Sequence, residues 1–240
     1  MDKMNRKGTL YLIPSILGES PADHSIPALN GRVITSIKFF IVEEIRTARR
    51  FIKKVCPDLD LGPLTFLVFN EHNDKADINS YVAPLMDGND VGLLSEAGTP
   101  CVADPGAEIV ALAQEKDIRV VPLTGPSSLI LSLMASGFNG QNFNFHGYLP
   151  IEKSQRIKKI KEIEKQVYSH NQTQIFIETP YRNQQMFQAL TETCNEKTLL
   201  CLACDLTTES EFIKVMTIRE WKRKKPDIHK RPAVFLLYKQ

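Results

Sequence analysis

From Gly8 to Ser136 the chain alternates short, nearly wholly apolar runs with longer stretches in which apolar residues recur at helical spacing. GTLYLI (8–13), FFIV (39–42), LTFLVF (64–69), VGLL (91–94) and IRVV (118–121) read as strands. Runs this apolar fit a parallel sheet covered on both faces. Between them, 28–37, 43–55, 74–86, 107–116 and 127–136 read as helices. In 107–116 the apolar residues fall at 109, 110, 112 and 113, one face of a helix. Pro105 and Pro126 stand where helices begin. Residues 15–27, with Gly18 and two prolines, read as a polar loop. Strand–helix alternation over about 120 residues predicts a doubly wound α/β domain.

The second half is less regular. Residues 143–146, 174–177, 199–203, 211–217 and 233–238 read as strands, 150–168 as a basic helix and 182–193 as another helix. The last three strands are separated by too little chain for helical crossovers, so part of this sheet is expected to be antiparallel. A junction near 122–126 divides the chain into an N-terminal α/β domain (1–123) and a C-terminal α/β domain with a mixed sheet (124–240). A cleft between two such domains is a common ligand site.

Composition sets broad limits. With 42% hydrophobic and 24% charged residues the chain reads as globular. No apolar run approaches the roughly 18 residues of a membrane span. The first residues, MDKMNRKGTLYLIP, lack a signal peptide's apolar core and cleavage site. A cytoplasmic protein with no membrane partner is expected. The five scattered cysteines fit a reducing compartment. Cys201 and Cys204 form a lone CxxC without a second ligand pair, so they read as buried thiols and no metal site is expected. Charge is uneven. Residues 1–150 carry 13 Lys and Arg against 17 Asp and Glu, and residues 151–240 carry 17 against 11. The excess gathers at Arg156–Lys161 and Trp221–Lys225, clusters that suit phosphates or simply a solvated helix face.

Candidate chemistry centres on two turns, each between an apolar run and a helical pattern. They are SEAGTP at 95–100 and TGPSS at 124–128. In open α/β sheets ligands bind outside the carboxyl ends of strands, where such loops leave the sheet. Their residues are small: Ser95, Ala97, Gly98 and Thr99, then Thr124, Gly125, Ser127 and Ser128. Small residues let the backbone approach a ligand. There is no G-x-x-x-x-G-K-[ST], no G-x-G-x-x-G, no G-x-S-x-G and no H-E-x-x-H. The turns therefore read either as ordinary strand–helix connections or as a binding floor built mainly of backbone.

The ordered set LYLIP (10–14), EEIR (43–46), HN (72–73), SEAGTPxxxDPG (95–106), VVPLTGPSS (120–128), FNFHGYLP (143–150) and IETPYR (177–182) resembles the tetrapyrrole-methylase superfamily. These are methyltransferases that use S-adenosylmethionine. Within it the chain is most similar to the branch that methylates a ribose 2′-hydroxyl in small-subunit ribosomal RNA. The resemblance covers residues 8–240. It implies two α/β domains with the cofactor cleft between them, a homodimer and an RNA partner. It further implies cofactor contacts at Pro14, Glu96, Ala97, Gly98, Thr99, Val102, Ser127, Ser128, Glu178, Leu206 and Ala233. The sulfonium is an activated methyl donor, so alignment of the reacting atoms supplies much of the acceleration. A hydroxyl nucleophile also benefits from a base. Candidates are Glu43, Glu44, His72, Glu96 and Asp104, with Arg46 suited to a substrate phosphate or carboxylate.

The chain departs from this branch in places. Pro14-Ser-Ile-Leu-Gly18 stands for PxxGNLxD, Glu96 for the Asp of SDAGTP, Cys204–Thr208 for RELTK, and Arg231-Pro232 for Gly-Glu. These departures touch the acceptor side more than the floor. Two alternatives stay open: methylation of a tetrapyrrole or other small acceptor, and a lapsed enzyme that binds S-adenosylmethionine and associates with RNA.

Overall fold

The computed structural model describes residues 6–69 and 78–239, within two compact units, Met1–Ser127 and Ser128–Gln240. His72, and the start of the helix expected from Asp74, lie outside the described residues.

In the first unit β1 (Thr9–Ile13), β2 (Phe39–Val42), β3 (Thr65–Val68), β4 (Val91–Leu94) and β5 (Arg119–Pro122) form one sheet in the order β3-β2-β4-β1-β5. Every pairing is parallel; Leu10, for example, lies opposite Val91 and Val120. The alternating sides of each strand feed two cores. Ile13, Phe40, Val42 and Leu94 pack with α1 (Ala28–Ser36) and α2 (Ile45–Val55) through Ile34, Phe51 and Ile52. Leu10, Ile41, Val91 and Leu93 pack with α3 (Ile78–Met86) and α4 (Ala107–Glu115) through Val82, Leu85, Ile109 and Ala113. With helices on both faces the strands are covered on both sides except at the ends of the edge strands β3 and β5, which is why the runs carry little polar alternation.

The second unit holds β6 (Phe143–Tyr148), β7 (Thr173–Glu178), β8 (Leu199–Cys204), β9 (Phe212–Thr217) and β10 (Ala233–Tyr238), ordered β6-β7-β10-β8-β9. Only β6–β7 is parallel; β10 runs antiparallel between β7 and β8, and β9 antiparallel to β8. Helices α6 (Lys153–His170), α7 (Asn183–Thr193) and α8 (Ile218–Trp221) share one core with the sheet, and α5 (Ser128–Ser136) packs on β9 and β10. The chain is thus two α/β units, one with a parallel sheet and one with a mixed sheet.

Two elements were not expected, a 3-10 turn at Ala22–His24 and the single-turn helix α8. Cys201 and Cys204 are fully buried in β8, three positions apart and therefore on opposite sheet faces. Burial pushes their thiols up to about 12 and about 11, so neither is a ready ligand or nucleophile. Among the described residues no helix is long and apolar enough to cross a membrane.

Candidate functional site

The first unit has a topological switch point. β1 and β4 are neighbours, yet β1 leads into α1 on one face and β4 leads toward α4 on the other. The carboxyl ends of strands at such a point are the usual ligand position in these sheets. Pro14, Glu96, Ala97, Gly98 and Ser127 all lie on this edge.

Backbone bonds set the floor. Ser15 N–H donates to Gly98 O at 2.9 Å, and Gly98 N–H donates back to Ser15 O at 3.2 Å. The Ser15 hydroxyl, 2% exposed, donates to Ser95 O at 2.6 Å. Gly98 has φ +77°, and a Cβ there would stand 3.0 Å from Leu17 Cδ2; only glycine accepts that backbone without strain. A Cβ on Gly125 would lie 2.2 Å from Pro14 Cγ, so glycine is what lets the β5 loop close on the β1 loop. Asn30 Nδ2 donates to Thr124 O at 3.0 Å and steadies that second loop. The N–H groups of Ala97, Thr99 and Gly125 meet no acceptor among the described residues. They are the donors this floor offers to a ligand.

Carboxyl groups gather beside the floor. Burial, and the charge of Glu43 next, push Glu96 above its ordinary range, while the Thr47 hydroxyl and the Glu44 N–H bond to it and offset part of the rise. Asp104 is also raised, mainly by burial and then by Glu96, against hydrogen bonds with Ser95 and Glu43. Glu43 and Asp104 stand within hydrogen-bonding reach of each other, a contact that two carboxyls make when one is protonated. Glu44 has a different job. It is the N-cap of α2, accepting from Arg46 N at 3.0 Å and Thr47 N at 2.8 Å, and these bonds hold it below the usual range. An exposed carboxylate stabilised in this way is a weak base. Arg46, in the first turn of α2, is exposed.

The remaining expected residues fall apart into separate sets. Thr99 follows the floor and Val102 stands 48% exposed in the next turn. Ser128 opens α5 in the second unit. In that unit Ala233 lies opposite both Glu178 and Cys204, so Glu178, Ala233 and the following Leu206 share one sheet end. The Glu178 carboxylate is 1% exposed, paired with Arg182 and bonded to Thr179 N–H. The residues that depart from the family pattern meet here. Arg231 Nε donates to Asp205 Oδ2 at 2.6 Å, and its Nη2 donates to Ser210 O at 2.6 Å. The loop after β8 is therefore held by a cation from the start of β10. Sequence reasoning missed Ser15, Asn30 and Thr47, because a hydroxyl or amide that only supports a loop has no spacing signature.

The sequence profile of the Tetrapyrrole (Corrin/Porphyrin) Methylases matches residues 32–222. The chain belongs to this family. It is 31% identical over 211 residues to the Ribosomal RNA small subunit methyltransferase I of Vibrio cholerae, covering 88% of this chain and 69% of that protein. Against the protein of the same name from Bacillus subtilis it is 30% identical over 209 residues, 86% of this chain and 67% of the other. Two solved structures share the fold at 14% identity. The methyltransferase CobJ superposes with a TM-score of 0.65 over 98% of this chain and 95% of its own. The cobalt precorrin-4 methyltransferase CbiF gives 0.62 over 96% and 94%. Like other members of its family, the chain is a methyltransferase.

Proposed function

We propose that this methyltransferase transfers a methyl group from S-adenosylmethionine to a ribose 2′-hydroxyl of small-subunit ribosomal RNA. The observation that supports it best is one sheet edge carrying both a small-residue floor with unanswered N–H groups and a cluster of adjacent carboxyls. A floor of this kind suits a polar nucleoside–amino acid ligand read by backbone, and the carboxyls suit an acceptor that must lose a proton. The names of the similar proteins supply the RNA.

Pro14, Glu96, Ala97, Gly98, Thr99, Val102, Ser127, Ser128 and Ala233 are assigned to the cofactor, and Glu178 and Leu206 to its adenosine side, by the family pattern. The cofactor brings an activated methyl on a sulfonium. The protein orients the acceptor oxygen and takes its proton. In-line alignment supplies most of the acceleration, and the Glu43–Asp104 pair accepts the proton at a carboxylate oxygen when ionised. The Glu96 charge adds to the effect of burial in raising the affinity of Asp104 for its proton. Arg46 is assigned to a substrate phosphate. A homodimer and a cytoplasmic site of action belong to the same proposal. The small-acceptor alternative has the broad family profile and a likeness of fold behind it, whereas the similar proteins at about 30% identity are named for ribosomal RNA.

The test is transfer of labelled methyl to unmodified small-subunit ribosomal RNA, with calorimetric titration of S-adenosylmethionine. Wild type should bind the cofactor and label the RNA. Gly98→Trp should lose both. Asp104→Asn should keep binding and lose about 10²–10⁴ in kcat, the usual share of a general base. Cofactor binding without label on RNA would remove the RNA reading and leave the methyltransferase.

A further inference from the structure

The opposite end of the first unit's sheet carries a second concavity. A cleft of about 510 Å³ opens where β1, β2 and β5 begin. Arg6, Lys7, Lys38 and Arg119 line it, against the single carboxylate of Asp90. Two of these five charges are engaged with the backbone. Asp90 Oδ1 accepts Thr9 N–H at 2.7 Å, and Lys7 Nζ donates to Lys116 O at 2.6 Å. The side chains of Arg6, Lys38 and Arg119, and the hydroxyl of Tyr11 on the same wall, have no partner among the described residues.

The cleft is built and not merely a frayed end. Gly8 N–H donates to Leu85 O at 2.8 Å. A Cβ on Gly8 would stand 1.8 Å from Asn89 O, so only glycine lets the start of β1 press against that turn. Arg6 is thus two residues from a fixed point. Lys38 directly precedes β2 and Arg119 is the first residue of β5, each set by the parallel register. The fold brings three cations from distant parts of the chain to one concave surface, with only the Asp90 carboxylate, already bonded to Thr9 N–H, set against them. Such a surface attracts an anion from outside.

All three side chains are exposed at the rim. Enclosed sites for small phosphates are lined mainly by backbone N–H groups. Long, exposed guanidinium and ammonium groups instead suit a run of backbone phosphates, with arginine able to grip a phosphate by two N–H groups. Strands of four to five residues rise by about 3.3 Å per residue, which sets the cleft about 15 Å from the switch-point edge. An RNA reaching both ends would therefore be held several nucleotides from the one modified.

We infer that this cleft is a phosphodiester-binding site for the RNA substrate, remote from the methyl-transfer edge. The inference rests on the RNA reading above. Its test is filter binding of unmodified, in vitro transcribed small-subunit ribosomal RNA across a salt series, with the full chain. The cleft variant is Lys38→Gln/Arg119→Gln, and the charge-matched control is Arg32→Gln/Arg50→Gln on exposed helix positions. The cleft variant should bind the transcript about tenfold more weakly. Its log-affinity against log-salt slope should be shallower by about 1.5, the loss of two phosphate contacts. Its titration with S-adenosylmethionine should match wild type, and the control should stay within about twofold. A cleft variant that binds RNA like the control overturns the inference and leaves the RNA reading standing. No transcript binding by wild type overturns both. Inorganic pyrophosphate bound by wild type and lost in the cleft variant, with transcript affinity unchanged, would make this a small-phosphate site and also overturn it.

Discussion

Glu96 and Asp104 bind their protons more tightly in the folded chain than free carboxyls do, chiefly because burial disfavours the charge. Between the ordinary carboxylate range and these raised values the native state holds more protons than the unfolded one. Their ionisation therefore costs stability, which falls as pH rises through that window and levels off above it. Catalysis has the opposite need, an ionised pair, so the rate should climb through the same window. Glu96→Gln removes the like charge beside Asp104. Its acid limb in a kcat–pH profile should move to lower pH, with kcat on the alkaline plateau little changed. A limb that stays in place would show that another group sets the protonation of the site. The reassignment of Glu44 belongs to this scale as well. The sequence shows two adjacent acids, and only the helix entry decides that one caps α2 while the other faces Asp104.

Among the elements, α8 shows how a short piece can carry weight. Four residues are too few to display helical periodicity, so the pattern of apolar positions could not reveal it. The signal present was local. Thr217 and Glu220 form a capping box, each side chain bonding the other's backbone N–H. The helix delivers Trp221, 1% exposed, whose indole N–H donates to Leu200 O at 2.9 Å and whose ring meets Phe187 edge-on. Trp221→Ala should destabilise the protein by about 3–5 kcal/mol, the range for deleting a large buried ring. Urea unfolding measures it. The β8–β10 end makes a related point. Asp205 and Arg231 lie 26 residues apart and read separately as departures from a pattern. In the folded chain they are one ion pair that holds the loop carrying Leu206.

At the scale of the molecule, cofactor binding should show as stability. A ligand bound only by the native state adds RT ln(1 + [L]/Kd), about 2.7 kcal/mol at a hundredfold excess over Kd. For a chain of this size that is a rise in Tm of about 5–10 °C. Scanning calorimetry with S-adenosylmethionine should show it for wild type and not for Gly98→Trp. An equal rise in the variant would mean that the cofactor is held elsewhere than on the switch-point floor.

The order and kind of most elements follow from the chain alone. Five apolar runs alternating with helical patterns dictate a covered parallel sheet, and the short spacings after Leu199 dictate antiparallel strands. The floor too is legible, since small residues in SEAGTP and TGPSS sit where strands end. Tertiary structure alone decides what depends on residues distant in sequence. It joins Ser15 to Gly98, brings Glu43, Glu96 and Asp104 into one cluster of acids, pairs Asp205 with Arg231, and leaves Arg6, Lys38 and Arg119 together around a cleft. The physical reason is range. Periodicity and turn chemistry act over a few neighbouring residues, whereas charge and burial act through space, and only the closed sheet sets which distant side chains share it.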